Sequence, residues 1–261
     1  MNLVDLRTTP AAGITATLIP LAMPLQDGAT VADVRIGLGY TLVELSDGRA
    51  GLAWTPQGGA ASCTHLPRAG RLLGEDATTL LSWLAASGDL ERAVGLATFN
   101  ALNQRVDRGG LEEDAVDLLQ LRPSDKVVMV GHFAPLLGKI RKSGCQLTVV
   151  EMRGGIPGTV DRDRGMSELR QCDVAIITST SIINGTVSSL LAALGSCRSA
   201  VMLGPSTPLC PEAFAGTAIT QLSGAYLLPD AGAAKEVVSQ GGGTMILRPM
   251  LRFVSIPCPR G

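Results

Sequence analysis

The chain has 261 residues, of which 46% are hydrophobic and 17% charged, with 22 basic against 23 acidic side chains and a pI near 6.1. This composition excludes an intrinsically disordered chain, and its balance leaves no basic stripe for nucleic acid or an anionic membrane surface. No run of about 18 apolar residues occurs, which excludes a membrane-spanning helix.

The N-terminus, MNLVDLRTTPAAG, carries Asp5 where an export signal would be basic and lacks an uninterrupted apolar core, so a cytoplasmic protein is expected. Cysteines at 63, 145, 172, 197, 210 and 258 form no CxxC pair, as for reduced thiols without structural disulfides. Residues 14–22 read as an opening strand or edge segment interrupted by Pro20. Val34 to Leu38, Tyr40 to Leu45 and Ala50 to Trp54 alternate in polarity around Asp47-Gly48, which predicts an antiparallel meander with a hairpin.

Residues 56–76 are rich in Gly, Pro, Ser and Ala and predict a long loop. Two helices follow, Thr78 to Ala85 and Leu90 to Gln104, the second capped by Asp89 and carrying Leu90, Ala93, Val94, Ala97 and Ala101 on one face. After a polar segment from Asp107 to Asp114 the rhythm changes. Short apolar runs at 126–131, 146–151, 174–177, 200–204 and 224–228 are separated by helix-sized intervals, which predicts a parallel sheet with crossover helices.

In such a sheet, ligands sit beyond the carboxyl ends of the strands. Those ends carry His132, Phe133 and Pro135, then Glu151 to Gly158, then Ser179 to Asn184, then Pro205 to Pro208. His132 is suited to general-base or metal-ligand chemistry, or to a hydrogen bond with a carbonyl. Glu151 can accept a proton, hold hydroxyls, bind a cation or pair with Arg153. Ser179, Thr180, Ser181 and Thr186 offer neutral donors beside a helix running from Val187 to Leu194, fit for an oxyanion or for simple capping by Asn184-Gly185-Thr186. Ser206 and Thr207 sit in a stiff turn on the same rim. The turn from Gly131 to Gly138 lacks GxGxxG, so there is no standard NAD fingerprint.

Cys63-Thr64-His65 places two soft ligands close together, and with Cys210 or His132 they could hold zinc, copper or nickel. A lone CxH is more often incidental, because a structural site needs four ligands. Cys145, Cys172 and Cys197 lie in apolar sequence and read as core thiols.

Ala97-Thr98-Phe99-Asn100-Ala101-Leu102, Val130-Gly131-His132-Phe133-Ala134-Pro135-Leu136, the loop from Ser179 to Asn184 and Gly204-Pro205-Ser206-Thr207-Pro208 together resemble the putative heavy-metal chelation proteins, a prokaryotic family of unknown function. The resemblance runs over nearly the whole chain. It implies an α/β protein with a small N-terminal α+β domain similar to the enolase N-terminal fold, residues 1–106, and a C-terminal Rossmann-like parallel-sheet domain, residues 107–261. It also implies a site between the two and a transition metal ion as cofactor, with Asn100 facing the rim formed by Glu151, Thr180, Asn184 and Ser206.

The expected function is metal handling, with a small polar or anionic ligand, free or as a metal complex, bound in the inter-domain cleft. His132 and Glu151 would be the catalytic or metal-contacting groups, and Asn100, Phe133, Ser179, Thr180, Asn184, Thr186, Ser206 and Thr207 the ligand-binding ones. The alternative is a non-catalytic regulatory protein for a nucleotide- or pterin-like ligand. Direct metal storage through Cys63 and His65 is a third reading. No nucleic-acid or membrane partner is expected, and a homodimer is the default assembly.

Overall fold

The computed structural model describes residues 13–57, 65–104, 109–151 and 156–259. It is a mixed α/β structure with a small antiparallel sheet and a larger, mostly parallel one.

Residues 14–22 form helix α1 (Ile14–Ala22), not the expected strand. Ile14, Leu18 and Ala22 recur every four residues and are buried, so a helix satisfies the apolar pattern that a strand would split between two faces. Pro20 sits inside the helix and removes one backbone donor, a cost that the packed face outweighs. Strands β1 (Val31–Ile36), β2 (Tyr40–Leu45) and β3 (Ala50–Trp54) form the predicted meander. Its hairpin register pairs Tyr40 with Trp54 and Glu44 with Ala50.

Asp76 accepts from the Thr78 backbone N–H at 2.8 Å and caps the short helix α2 (Ala77–Leu81). Helix α3 (Asp89–Leu102) has Gly88 at its N-cap, one residue before the expected Asp89. Asp89 lies instead in the first turn, where a carboxylate suits the helix dipole and pairs with Arg92. All residues from Ala93 to Phe99 are buried, so the middle of α3 is enclosed around its whole circumference, with the Thr98 hydroxyl satisfied by Val94 O at 2.8 Å, and α3 forms the axis of this half.

The large sheet contains β4 (Lys126–Val130), β5 (Gln146–Val150), β6 (Val174–Thr178), β7 (Ser199–Leu203), β8 (Gln221–Leu227) and β9 (Leu251–Pro257), in the order β5-β4-β6-β7-β8-β9. β4 to β8 are parallel as expected; β9 adds an antiparallel edge that the βα rhythm did not announce. Val127, Met129, Val174 and Ile176 pack on helix α4 (Ala134–Lys142), while Val128, Val130, Ala175 and Ile177 face α5 (Arg162–Leu169) and α7 (Val187–Ala193). Burial on both faces is why these strands read as unbroken apolar runs. Between β6 and α7, the expected hydroxyl-rich loop is a helical turn, α6 (Thr180–Ile183).

The two sheets share one apolar cluster that runs from Ile14 and Phe99 to Ile177 and Phe214. On the far side, helices α8 (Gly232–Ser239) and α9 (Thr244–Leu247) place Val238 and Leu247 with Tyr40, Leu42 and Leu52 of the small sheet. Three backbone groups of β3, at alternate residues, bond to side chains rather than to a further strand. Gln104 Oε1 accepts from Ala50 N at 2.8 Å, Asn100 Nδ2 donates to Leu52 O at 2.8 Å, and Ser206 Oγ accepts from Trp54 N at 2.8 Å. Asn100 also donates to Ser206 O at 3.2 Å and Gln104 to Leu227 O at 2.7 Å, so both amides bridge the small sheet and the large one. Asn100→Ala and Gln104→Ala should each cost about 1–2 kcal/mol in urea unfolding, since each leaves a partly buried backbone group of β3 unpaired. A change below about 0.5 kcal/mol in either would contradict this joint.

Candidate functional site: a hydroxyl-lined cavity

The strand order reverses at β4, which has β5 on one side and β6 on the other, and open α/β sheets bind ligands at the carboxyl ends beside such a point. A cavity of ≈ 820 Å³ lies there. It takes His132 and Phe133 from beyond β4, Thr178 to Thr180 from the end of β6 and Gly204 to Ser206 from the end of β7. Gly204 has φ +128, and a Cβ on it would meet Ser179 Oγ at 2.9 Å, so only glycine lets the β7 turn pass that hydroxyl.

Its most buried polar groups are neutral hydroxyls: Ser179 is 1% exposed, Ser206 1%, Ser255 3% and Ser223 5%. Ser223 and Ser255 share one hydrogen bond at 2.8 Å, and Gln221 Nε2 donates to Ser223 at 2.8 Å. Two hydroxyls joined by one bond keep one proton between them to donate elsewhere. The same holds for Thr178 and Thr180, whose oxygens are 3.0 Å apart, and Ser206 only accepts from Trp54. The deep end therefore presents O–H donors to an acceptor-rich ligand without a formal charge.

The walls are aromatic. Tyr40, Trp54, Phe133 and Phe253 line the cavity, half of the aromatic side chains in a chain with four Phe, two Tyr and two Trp. Burial pushes the Tyr40 phenol above its ordinary value, offset by a 2.7 Å hydrogen bond with Thr244 at the start of α9. The wider end carries His132, Met245, Ile246, Arg248 and the acidic stretch Glu112 to Asp114, all exposed. Glu112 pairs with Arg252 at 2.7 Å and Asp114 with Lys139 at 2.9 Å. Partial burial alone would raise the Asp114 carboxyl, but hydrogen bonds from Lys139 and the Val116 N–H hold it below its ordinary range.

Residues 114–256 match the family model DUF364, described as putative heavy-metal chelation, and residues 20–103 match DUF4213, which carries the same description. The chain belongs to this putative heavy-metal chelation family. A DUF364 protein of unknown function from Pyrococcus horikoshii superimposes with TM-score 0.79 at 20% identity, covering 94% of this chain and 99% of that one. A second, from Desulfitobacterium hafniense, gives TM-score 0.78 at 23% identity over 94% and 97%. An uncharacterized protein of Methanocaldococcus jannaschii is 26% identical over 153 residues, 56% of this chain and 58% of that relative's length.

The family's description raises the question of a metal, and the donor set of the described residues does not fit one. No group of three or more His, Cys, Asp and Glu among them comes together in a way that could hold an ion. Soft metals take thiolates. Burial, with Cys197 nearby, pushes the Cys172 thiol up to about 12, and burial beside Cys210 and Glu212 does the same to Cys258. Cys210 is itself buried, with its sulfur 3.3 Å from Glu212 Oε2, and Cys197 is buried too. Cys145 is half-buried, packed against the cluster of Val127, Met129 and Ile140 with its sulfur 3.6 Å from Ile140 O. His65 is exposed, and Cys63 lies outside the described residues.

The structure brings together His132, Phe133, Ser179, Thr180 and Ser206 from the predicted set. Asn100 lies beneath them, holding the Ser206 carbonyl and β3. Glu151 closes β5 with its N–H on Val160 O at 3.1 Å and does not line the cavity. Asn184 and Thr186 lie at the far end of α6, where Asn184 Oδ1 accepts from both the N–H and the hydroxyl of Thr186 in an Asx turn leading into α7. Thr207 is buried in the turn behind Ser206. Sequence reasoning missed Tyr40, Trp54, Ser223, Ser255, Arg248 and Phe253. The scarcity of aromatic residues was the one available signal, since Trp54 ends a strand where a plain core would take an aliphatic residue.

Among the described residues no helix is long and apolar enough to cross a membrane.

Proposed function

We propose that this chain binds a small polar organic ligand in the hydroxyl-lined cavity, and that it handles heavy metal as a complex of that ligand, not through a cage of its own side chains. The observation that carries this reading is the cavity itself: buried O–H donors at one end, aromatic walls, and a volume of ≈ 820 Å³, within the usual range for small-molecule sites. Ser179, Thr180 and Ser206 would meet the acceptor atoms of the ligand, Phe133 and Trp54 its body, and His132 its outer end. Asn100 would act by holding Ser206 in place. A boundary near residue 106 between two domains is supported by the two matched stretches, which leave 104–113 between them. The cavity would then lie between the domains, with Tyr40 and Trp54 contributed by the first.

Titration with Zn²⁺ or Ni²⁺ alone tests the metal part of this reading. The expected result is no stoichiometric binding at micromolar metal. A one-to-one site that disappears in Cys63→Ser would contradict it and favour direct chelation.

A further inference from the structure

We propose that Arg248 makes the outer end of the cavity an anion-recognition subsite, so that the preferred ligand is an organic anion with a flat or apolar body. This rests on the reading of the cavity as a small-molecule site. Arg248 is the one Lys or Arg that lines the cavity among the described residues. Its guanidinium lies 5.2 Å from the centroid of the Phe253 ring, a second lining residue, and no carboxylate pairs with it among the described residues. The neighbouring cations differ: Arg252 is taken up by Glu112, and Lys139 by Asp114 and Asp117.

A guanidinium laid over a ring is attracted to the ring face, while its five N–H donors remain directed outward in its own plane. That leaves the fork free for two parallel bonds to a carboxylate, sulfonate or phosphate. The anchoring is firm at one end, because Leu247, directly before Arg248, is 0% exposed in the core under the small sheet. Glu113 also stands at this end, but it makes no ion pair with Arg248, so the positive charge is not cancelled by contact. With the anion on Arg248, the rest of the ligand would run past Phe253 and Trp54 toward the buried hydroxyls.

Two fluorescent probes with the same aromatic body test this: 8-anilinonaphthalene-1-sulfonate, an anion, and N-phenyl-1-naphthylamine, which is neutral. Both should bind the wild-type chain, and both should be lost in Gly243→Phe. Residue 243 lines the cavity in an extended conformation with open space around a Cβ, so a phenyl group can enter without disturbing the backbone. Arg248→Met, which keeps the stem and removes the charge, should weaken the anionic probe about tenfold and leave the neutral one within about twofold. Arg248→Lys should fall between, having charge without the fork. Equal effects on both probes, or none on the anionic one, would overturn the subsite while leaving the cavity reading intact. If neither probe binds the wild-type chain, the cavity reading itself falls. Displacement by benzoate against phenyl phosphate then separates a carboxylate from a phosphate preference.

Discussion

Gly51→Ala is expected to destabilise the protein by about 3 kcal/mol. A Cβ at Gly51 would stand 2.2 Å from Ala97 O, 2.3 Å from Ala101 N and 2.7 Å from Asn100 C. All three are backbone atoms of α3, so no side-chain rotation relieves the clash, and the helix must lift off β3. Lifting it also strains the Asn100 and Gln104 bonds to Leu52 O and Ala50 N, and with them the bridge these amides make to Ser206 O and Leu227 O on the large sheet's side. Urea unfolding followed by circular dichroism measures the cost. Gly138→Ala provides the contrast: this helical glycine of α4 has nothing within 4 Å of a Cβ, so the substitution should stabilise the chain by roughly 0.5–1 kcal/mol. A loss below about 1 kcal/mol at Gly51 would show that α3 is not held as closely as described.

Arg198→Met should cost about 3 kcal/mol or more. Asp125 is 4% exposed; its carboxylate pairs with Arg198 and accepts from the Arg122 N–H at 2.7 Å. Arg198 also donates to Leu119 O and Gln120 O, both at 3.1 Å, and so fastens the turn before β4 to the start of β7. Burial alone would raise the Asp125 carboxyl, but the hydrogen bond from Arg198 and the Arg122 N–H hold it below its ordinary value. The folded state thus binds the proton less readily than the unfolded one, and the stabilisation is fully present above the unfolded pKa of about 4. It is lost as pH falls through the lower folded value. In the variant the acid is buried without its cation, which raises its pKa, so acidification relieves the penalty. Thermal midpoints of the two proteins should therefore converge between pH 7 and pH 3. Parallel curves would mean that Asp125 carries no such charge. Because this pair sits at the amino ends of the strands, away from the cavity, probe binding by the folded variant should be unaffected.

The parts of the fold legible in the sequence were those whose turns or burial leave a local signal. The hairpin was marked by Asp47-Gly48 at its turn, although β2 and β3 are buried on both faces, against two different clusters, and β4 to β8 are continuous apolar runs because both faces are covered. Helix α1 was hidden by Pro20, which reads as a strand or edge feature until the spacing of Ile14, Leu18 and Ala22 is weighed against it. β9 escaped because its place is set by an antiparallel ladder to β8, from Gln221 with Pro257 to Leu227 with Leu251, and no local period encodes that pairing.

The site divides in the same way. His132, Phe133, Ser179, Thr180 and Ser206 follow from one rule about strand ends at a reversal of strand order. Trp54, Arg248 and Phe253 reach the cavity through contacts between segments some 150 to 200 positions apart, which no spacing reveals. Asn184 and Thr186 had the right chemistry for a ligand, but they spend it on each other.

The claim that the cavity holds a small organic ligand is tested most directly by denaturing the protein as purified from its own host and analysing what it releases by mass spectrometry and elemental analysis, beside Gly243→Phe treated identically. The account predicts a small organic anion released from the wild-type chain, alone or together with metal, and neither from the variant. Stoichiometric metal with no organic compound, or the same compound carried equally by Gly243→Phe, would contradict it.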